Sequence, residues 1–244
     1  MSGTVLNVSS YRFVTLEDLP TLRERLHDAA QAAGLKGTVL LAPEGINLFL
    51  AGAADALRAW LDALRGDARF VGLDAKESWS ATLPFKRLKV KIKREIIRMD
   101  WPLPAGQARA AAVDAPTLKR WLDQGHDDAG RPLRLLDTRN AFEVDAGAFE
   151  GAVDWRIDKF TEFPAALAAH RAQLQDCTVV SYCTGGIRCE KAALLLQQQL
   201  PGPVYQLDGG ILRYFEQVGG AHYRGACFVF DARETLNERL QASG

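Results

Sequence analysis

The segment SYCTGGIRCEKAALLL, Ser181 to Leu196, joins an apolar strand to a helix through a loop that begins with a cysteine. Residues 178–182 are mostly β-branched or aromatic, as in a buried strand, and two consecutive glycines interrupt that pattern. The residues from Lys191 onward are strong helix formers. Cys183 therefore lies where a strand ends and a loop enters a helix, which is the edge of an open parallel sheet at which ligands bind.

The loop itself has the composition of an anion cradle. It consists of six consecutive residues: Cys183, Thr184, Gly185, Gly186, Ile187 and Arg188. Unpaired backbone N–H groups at a helix start attract anions and lower the pKa of a nearby thiol, and two glycines let the backbone curl without Cβ clashes. The guanidinium adds a fixed positive fork. We predict a reactive thiolate at Cys183; the alternative is a small buried apolar residue beside a simple turn.

The spacing between the cysteine and the arginine distinguishes two kinds of loop. Cysteine phosphatases use Cys-x5-Arg, a loop wide enough for phosphate, whereas this chain has Cys-x4-Arg. The tighter ring resembles the active-site loop of rhodanese-like sulfurtransferases, whose cysteine carries a persulfide. The segment LLDTRNAFEVDAGAFEGAVD is similar to a second rhodanese motif, although Ala148 replaces its histidine. The segment LDGGILRY resembles the closing rhodanese motif, with Tyr214 in place of tryptophan.

Three further residues are candidates for supporting roles around the loop. Asp137 and Arg139 belong to the second motif, and they either form a structural ion pair at a strand end or take part in catalysis. Cys189 directly follows the loop and could resolve a sulfenic or persulfide state of Cys183; the alternative is a small residue that packs in the helix. The glutamate and lysine that follow it could find charged partners or remain at the surface.

Two domains are predicted from the order of the elements. In residues 1–100 a strand, a helix ended by Gly34, a hairpin, a second helix and the closing strand RLKVKIKREIIR give the order βαββαβ of a ferredoxin-like α+β sandwich. Residues 101–115 are rich in proline and small residues and are interpreted as a linker. In residues 116–233 short apolar strands alternate with helices, which predicts a rhodanese-like α/β domain with a parallel sheet covered on both faces. Residues 234–244 form a tail.

The predicted closing strand of the first domain carries a row of four cations: Arg87, Lys89, Lys91 and Lys93. Period-two alternation puts them on one side and turns Leu88, Val90 and Ile92 toward the helices. Neighbouring cations in the row are about 6.6 Å apart, close to nucleic-acid phosphate spacing. The row predicts either an RNA contact or a solvated edge that lysines protect from pairing. Trp79 and Phe85 could stack on bases, but core packing is the better interpretation for both.

Charge and cysteine usage constrain the class of protein. Thirty basic residues balance thirty acidic ones among 244, so net charge alone indicates no polyanionic partner. The N-terminus lacks a secretory signal, and no stretch reaches the roughly 18 apolar residues of a membrane span. We therefore expect a cytoplasmic protein with reduced thiols, in which Cys177 and Cys227 are buried and inert. Cysteine and histidine spacing predicts no metal site, and nothing indicates a protein partner.

Taken in order, six segments are similar to the bacterial rhodanese-domain tRNA uridine(34) hydroxylases. These are KGTVLLAPEGIN, PFKRLKVKIKREII, DTRNAFEVDAGAFEGAVD, CTGGIRCEKA, GGILRYFE and GACFVFDAR, which together span nearly the whole chain. The resemblance implies oxygen-dependent 5-hydroxylation of the wobble uridine of tRNA, with an essential cysteine at the position of Cys183. It also implies an acylphosphatase-like or ferredoxin-like domain ahead of the rhodanese domain.

Three functions remain open at this point. The first is an RNA-modifying oxidoreductase: the basic domain docks tRNA, and the sulfur of Cys183 adds to C6 of uridine and opens C5 to oxidation. Molecular oxygen is the co-substrate that the resemblance implies, and no cofactor is evident. The second is a thiosulfate or persulfide sulfurtransferase that carries sulfane sulfur on Cys183. The third is a binding module with a vestigial thiol, against which the intact cradle argues.

Overall fold

A computed structural model describes residues 4–104, 106–230 and 233–241 of the chain. The chain divides into two compact units, Met1–Gln107 and Ala108–Gly244. Parts of the predicted linker and tail, Ala105 and residues 242–244, lie outside the described residues, as do residues 231–232.

The first unit is an α+β sandwich whose helices pack on one face of a mostly antiparallel sheet. Among the described residues its strands are Val5–Phe13 (β1), Lys36–Ala42 (β2), Gly45–Gly52 (β3), Lys76–Ser80 (β4) and Leu88–Ile92 (β5). Its helices are Leu19–Ala32 (α1) and Ala54–Arg65 (α2). The strand order is β4-β1-β3-β2-β5. The ferredoxin-like arrangement predicted for this part of the chain is therefore confirmed.

The identity of its closing strand was predicted wrongly. Strand β4, which completes the βαββαβ unit, pairs antiparallel with β1, whereas β5 is a fifth strand that pairs parallel with β2 at the opposite edge. The segment RLKVKIKREIIR also leaves the sheet after Ile92. The backbone N–H of Ile96 donates to the buried Glu44 carboxylate, and Glu95 accepts from the N–H groups of Met99 and Asp100. These carboxylates hold the chain in a turn that local periodicity does not reveal.

The core of the first unit lies between the two helices and one face of the sheet. Helices α1 and α2 bury Leu22, Leu26, Ala30, Leu57, Trp60, Leu61 and Leu64, and the sheet buries Val8, Val39, Leu48, Leu50 and Val90. Two expectations about this core are wrong. Trp79 is 47% exposed rather than packed in the core, and Ile92 is 41% exposed, because β4 and β5 are the edge strands of the sheet.

The second unit is built on a parallel sheet of order β6-β10-β9-β7. Its strands, within the part of the chain that the structure describes, are Ala112–Val113 (β6), Leu133–Asp137 (β7), Gly147–Phe149 (β8), Thr178–Tyr182 (β9), Val204–Leu207 (β10), Tyr223–Gly225 (β11), Cys227–Phe228 (β12) and Thr235–Leu236 (β13). Its helices are Ala115–Gln124 (α3), Ala141–Ala146 (α4), Phe163–His170 (α5), Ile187–Gln199 (α6) and Gly210–Val218 (α7).

Helices cover both faces of this sheet, as the sequence predicts. One face packs against α3 and α7, where Leu118, Ile211 and Tyr214 join the buried cluster that contains Val180. Helix α6 packs on β9 and β10 from the other side, and the Ser181 hydroxyl donates to a carbonyl of α6. All five residues of β9 are buried. Strand β6 falls inside the predicted linker, where it pairs with β10.

Candidate active site

The six-residue loop connects the end of β9 to the start of α6, at the carboxyl edge of the parallel sheet. Gly186 adopts a φ of +102°, and its backbone N–H donates to the Cys183 Sγ at 3.1 Å. The glycine is required because a side chain rarely adopts that backbone conformation. Cys183 itself is only 1% exposed. The thiol is therefore held inside the loop by a backbone donor, as a cradle requires.

A second glycine pair, at the start of α7, holds the backbone of the loop in place. The backbone N–H groups of Ile211 and Leu212 donate to the carbonyl oxygens of Cys183 and Thr184, at 2.9 and 3.1 Å. Gly210 has a φ of +68°, and a Cβ at this position would clash with the Cys183 carbonyl oxygen. The start of α7 thus directs both loop carbonyls away from Sγ, which explains why LDGGILRY carries its glycines.

Arg188 lies in the interior and forms an ion pair with Glu143. Its Nη1 and Nη2 each donate to one carboxylate oxygen at 2.6 Å, and the arginine is 6% exposed and the glutamate fully buried. Both terminal nitrogens of the fixed cationic fork that the sequence suggested therefore contact this carboxylate. The positive charge still acts electrostatically on Cys183. Glu143 belongs to the segment LLDTRNAFEVDAGAFEGAVD, but no sequence pattern predicted that it would pair with Arg188, 45 residues away.

Asp137 and Arg139 form a second buried ion pair at the end of β7, and both side chains are fully inaccessible. Nε and Nη2 of Arg139 donate to the aspartate, Nη2 also donates to the Gly147 carbonyl at 2.7 Å, and Nη1 donates to the Glu143 carbonyl at 3.3 Å. The pair therefore ties α4 and β8 to the sheet. These contacts are the ones expected of the structural ion pair, and through Glu143 they also position Arg188.

Cys189 lies in the first turn of α6, where its Sγ is 3.8 Å from the Cys183 Sγ. Its Sγ also lies 3.1 Å from the Gly186 carbonyl oxygen, and the residue is fully buried. Two thiols at this separation are close enough to react after a small displacement. The structure thus brings together the two cysteines that the sequence places six residues apart.

The two thiols are electrostatically unequal. Burial raises the pKa of Cys183, but the hydrogen bond from Cys189, the Arg188 charge and backbone N–H groups outweigh it and lower the pKa to about 5. Burial and the neighbouring Cys183 sulfur raise the pKa of Cys189 well above its ordinary value. Burial also raises the pKa of Cys227, to about 12. At neutral pH the charge of the pair therefore resides on Cys183.

The charged residues after Cys189 are buried, although a surface position was one alternative. Glu190 is 1% exposed and Lys191 is fully buried. Both oxygens of Glu190 accept from the guanidinium of Arg109, at 2.8 and 2.9 Å. Because the arginine comes from the segment that precedes β6, only the tertiary fold reveals this partner. It fixes the first turn of α6, and with it the end of the loop.

Three phenylalanines form a cluster beside the loop that sequence reasoning missed. The rings of Phe142, Phe228 and Phe230 contact one another edge to face, with centroids 5.1 to 6.3 Å apart. The Arg188 guanidinium carbon lies 5.7 Å from the Phe230 ring, and the Thr184 hydroxyl donates to the Phe228 carbonyl at 3.3 Å. The sequence signal that could have indicated this cluster is the pair of phenylalanines in CFVF, which the sequence analysis used only as part of the segment GACFVFDAR.

The four predicted RNA-binding cations lie along β5 and the residues that flank it, at an edge of the first unit's sheet. Arg87, Lys91 and Lys93 are exposed and Lys89 is half-buried. A cavity of about 510 Å³ opens beside them, lined by Gly37, Thr38, Pro84, Phe85, Lys86, Arg87 and Lys89. Phe85 is thus half-buried at a basic cavity. These positions are compatible with an RNA contact and with a solvated edge.

Two further features concern the residues that the structure describes. Within them, no group of three or more histidine, cysteine, aspartate or glutamate side chains is arranged to bind a metal ion. No helix in the same part of the chain combines the length and apolar character needed to cross a bilayer.

A thiolate loop on a parallel sheet, following a small α+β sandwich, defines a two-domain rhodanese-type protein. Family models agree: an acylphosphatase-like domain designated UPF0176 matches residues 5–96, and a rhodanese-like domain matches residues 114–217. The chain is 64% identical to a protein of Variovorax paradoxus over 98% of this chain and 91% of that protein. It is 61% identical to one of Bordetella petrii, over 98% and 96%. Both are named tRNA uridine(34) hydroxylase, and the chain belongs to this family.

Proposed function

We propose that this protein is a tRNA-modifying oxidoreductase that hydroxylates C5 of the wobble uridine, position 34, with Cys183 as the reactive group. The observation that carries the proposal is the thiolate cradle: a sulfur with a pKa of about 5, held by a backbone N–H beside a buried cation. Kinship with proteins named tRNA uridine(34) hydroxylase supports this function over simple sulfur transfer.

The proposed chemistry begins with nucleophilic addition. The Cys183 thiolate forms a bond to C6 of uracil, and the electron pair of the C5–C6 double bond moves onto C5 as an enolate. The electron-rich C5 then reacts with molecular oxygen, which is the proposed co-substrate. One oxygen atom stays on C5 as the hydroxyl group. The other leaves as water with two electrons from thiol reductants, which become a disulfide. Loss of the C5 proton and departure of the thiolate restore the aromatic base and the free enzyme.

For Cys189 we propose the role of a resolving thiol. If a peroxide oxidises Cys183 to a sulfenic acid, the Cys189 sulfur attacks it, an S–S bond forms and water leaves. The 3.8 Å separation of the two sulfurs supports this step. A thiol reductant then returns both residues to the reduced state. The pair thereby protects the active thiolate from irreversible oxidation in the presence of oxygen.

For the first unit we propose RNA docking on the open face of its sheet. The strand register aligns Ser9, Phe49, Thr38 and Lys89 across four neighbouring strands. Phe49 is 40% exposed and Lys89 continues into the row of cations on β5, so an aromatic ring and positive charges share one surface. Aromatic rings that stack bases and cations that contact phosphates are the usual means of binding single-stranded RNA. A tRNA substrate also leads us to propose the cytoplasm as the site of action.

The decisive test uses a deletion strain of the host. Its tRNA is digested and analysed by mass spectrometry for 5-hydroxyuridine derivatives, before and after complementation with the wild-type or Cys183→Ser gene. We expect loss in the deletion strain and restoration by the wild-type gene alone. In purified reactions under ¹⁸O₂, the new hydroxyl should carry the label. Restoration by Cys183→Ser, or a hydroxyl oxygen derived from water, would refute the corresponding part of the proposal.

A further inference from the structure

The phenylalanine cluster exposes apolar surface at a place where the fold does not require it. Phe142 is 49% exposed and Phe230 58% exposed, although both belong to the unit with the larger aromatic core. Phe142 is the second residue of α4, two residues after the Asn140 cap, and Phe230 follows β12. Single exposed apolar residues are common, but adjacent ones that share ring contacts indicate a binding surface.

The cluster borders the loop that contains Cys183. Phe230 lies 5.7 Å from the guanidinium carbon of Arg188, and the carbonyl of Phe228 accepts from Thr184. Cys183 is 1% exposed, so a reacting base has to enter the loop, whereas Phe142 and Phe230 are exposed beside it. The nucleotide next to it then remains outside the loop, where the exposed phenylalanines are available to contact it.

We propose that the exposed faces of Phe142 and Phe230 stack the base of the nucleotide that neighbours the target uridine. The inference rests on the proposed function, because it takes the substrate to be an unpaired RNA segment. Aromatic side chains bind such segments by stacking, whatever the base, because every base has a π-face. The edge-to-face contact with the half-buried Phe228 ring holds the two exposed rings in fixed orientations before RNA arrives.

The first experiment measures hydroxylation of an anticodon stem-loop RNA by Phe142→Ala, Phe230→Ala and the double variant. Loss of one stacked base should raise KM about 5- to 150-fold. The value of kcat and the alkylation rate of Cys183 should stay near wild type, because the loop contacts remain. Phe142→Tyr should restore KM. The matched control is Val71→Ala, which removes an exposed apolar side chain from the first unit. An unchanged KM in the double variant would overturn the proposal.

A second experiment does not depend on catalysis. In the Phe230→Trp variant, a short single-stranded RNA that contains uridine should quench the indole fluorescence, and the duplex form should quench it less. Quenching without hydroxylation by wild-type protein would support the stacking surface while removing the proposed reaction. Absence of quenching would overturn the stacking surface alone. Sedimentation experiments test a different occupant of the surface. If the wild-type protein is a dimer and the Phe142→Ala/Phe230→Ala variant is a monomer, the surface binds a second copy of the chain, and the stacking proposal is overturned.

Discussion

Glu143 and Arg188 face each other through two hydrogen bonds of 2.6 Å in the interior of the second unit. One residue lies in the short helix α4 and the other in the first turn of α6. Glu143 also accepts from the Asn140 backbone N–H, which closes the cap of α4. The pair therefore links two separate segments and places a positive charge near the active sulfur.

Removal of the acidic partner should destabilise the protein strongly. Glu143→Gln removes the negative charge that both terminal nitrogens of the buried Arg188 contact, and we expect the free energy of unfolding to fall by about 3–5 kcal/mol in urea titrations. The control is Glu150→Gln, which disrupts the solvent-exposed pair with Arg224 and should cost less than about 1 kcal/mol. Equal losses in the two variants would contradict the importance of the buried pair.

The reactivity of Cys183 should persist at acidic pH. Its pKa is lowered to about 5, so the thiolate predominates at neutral pH and is lost only as the pH falls through that value. The rate of iodoacetamide labelling of Cys183 is measured by peptide mass spectrometry as a function of pH and divided by its value at the high-pH plateau. This relative rate should reach one half near pH 5. Cys227 serves as an internal control, because burial raises its pKa to about 12. A midpoint for Cys183 near about 8.5, the value of an ordinary thiol, would show that the loop does not stabilise the anion.

Gly210→Ala should damage the loop through a steric effect. The new Cβ would clash with the carbonyl oxygen of Cys183. The alanine would also have to adopt a φ of +68°. We expect lower thermal stability and slower alkylation of Cys183. Gly125→Ala is the matched control, since Gly125 has a φ of +79° but open space around it. That variant should lose only about 1–2 kcal/mol and keep the alkylation rate. Similar alkylation rates in both variants would exclude a role for the close approach.

Reversal of charge on β5 should weaken RNA binding. For Lys89→Glu/Lys91→Glu we expect a higher Kd for tRNA. The slope of log Kd against the logarithm of the salt concentration should decrease by about 0.7–0.9 for each lost phosphate contact. Arg25→Glu/Arg65→Glu makes the same charge change on the helical face of this unit. If the β5 variant binds tRNA with wild-type affinity, or if the control variant loses as much affinity, the cations instead protect the edge of the sheet from pairing.

Peroxide should convert the neighbouring thiols into a disulfide. After limited treatment with hydrogen peroxide, peptide mapping should recover Cys183 linked to Cys189, because their sulfurs are 3.8 Å apart. In Cys189→Ser the same treatment should instead produce sulfinic acid at Cys183 and faster irreversible inactivation. Cys177→Ser should behave as wild type. Equal resistance to peroxide in the two serine variants would exclude a resolving role for Cys189.

Local sequence patterns were sufficient for most of the fold. The β-branched run before Cys183, the Gly-Gly interruption and the helix formers after it placed β9 and α6 correctly. These patterns predict the elements correctly because strand burial, glycine conformations and helix propensity each depend on only a few neighbouring residues. The mistaken closing strand has the opposite cause. The charged and aromatic segment of β4 shows weak alternation, and its place beside β1 is set by pairing with a strand some 70 residues earlier.

The sequence by itself determined where the candidate reactive sulfur lies, because a cysteine, two glycines and an arginine at fixed spacing define a loop over six residues. Only the tertiary structure decided what surrounds that sulfur. The 3.8 Å approach of Cys189 depends on how the loop folds into the helix. The partner of Arg188 and the contact between the exposed rings of Phe142 and Phe230 depend on which segments the parallel sheet brings together. The free energy of these contacts comes from burial and charge pairing between distant positions, which no local pattern encodes.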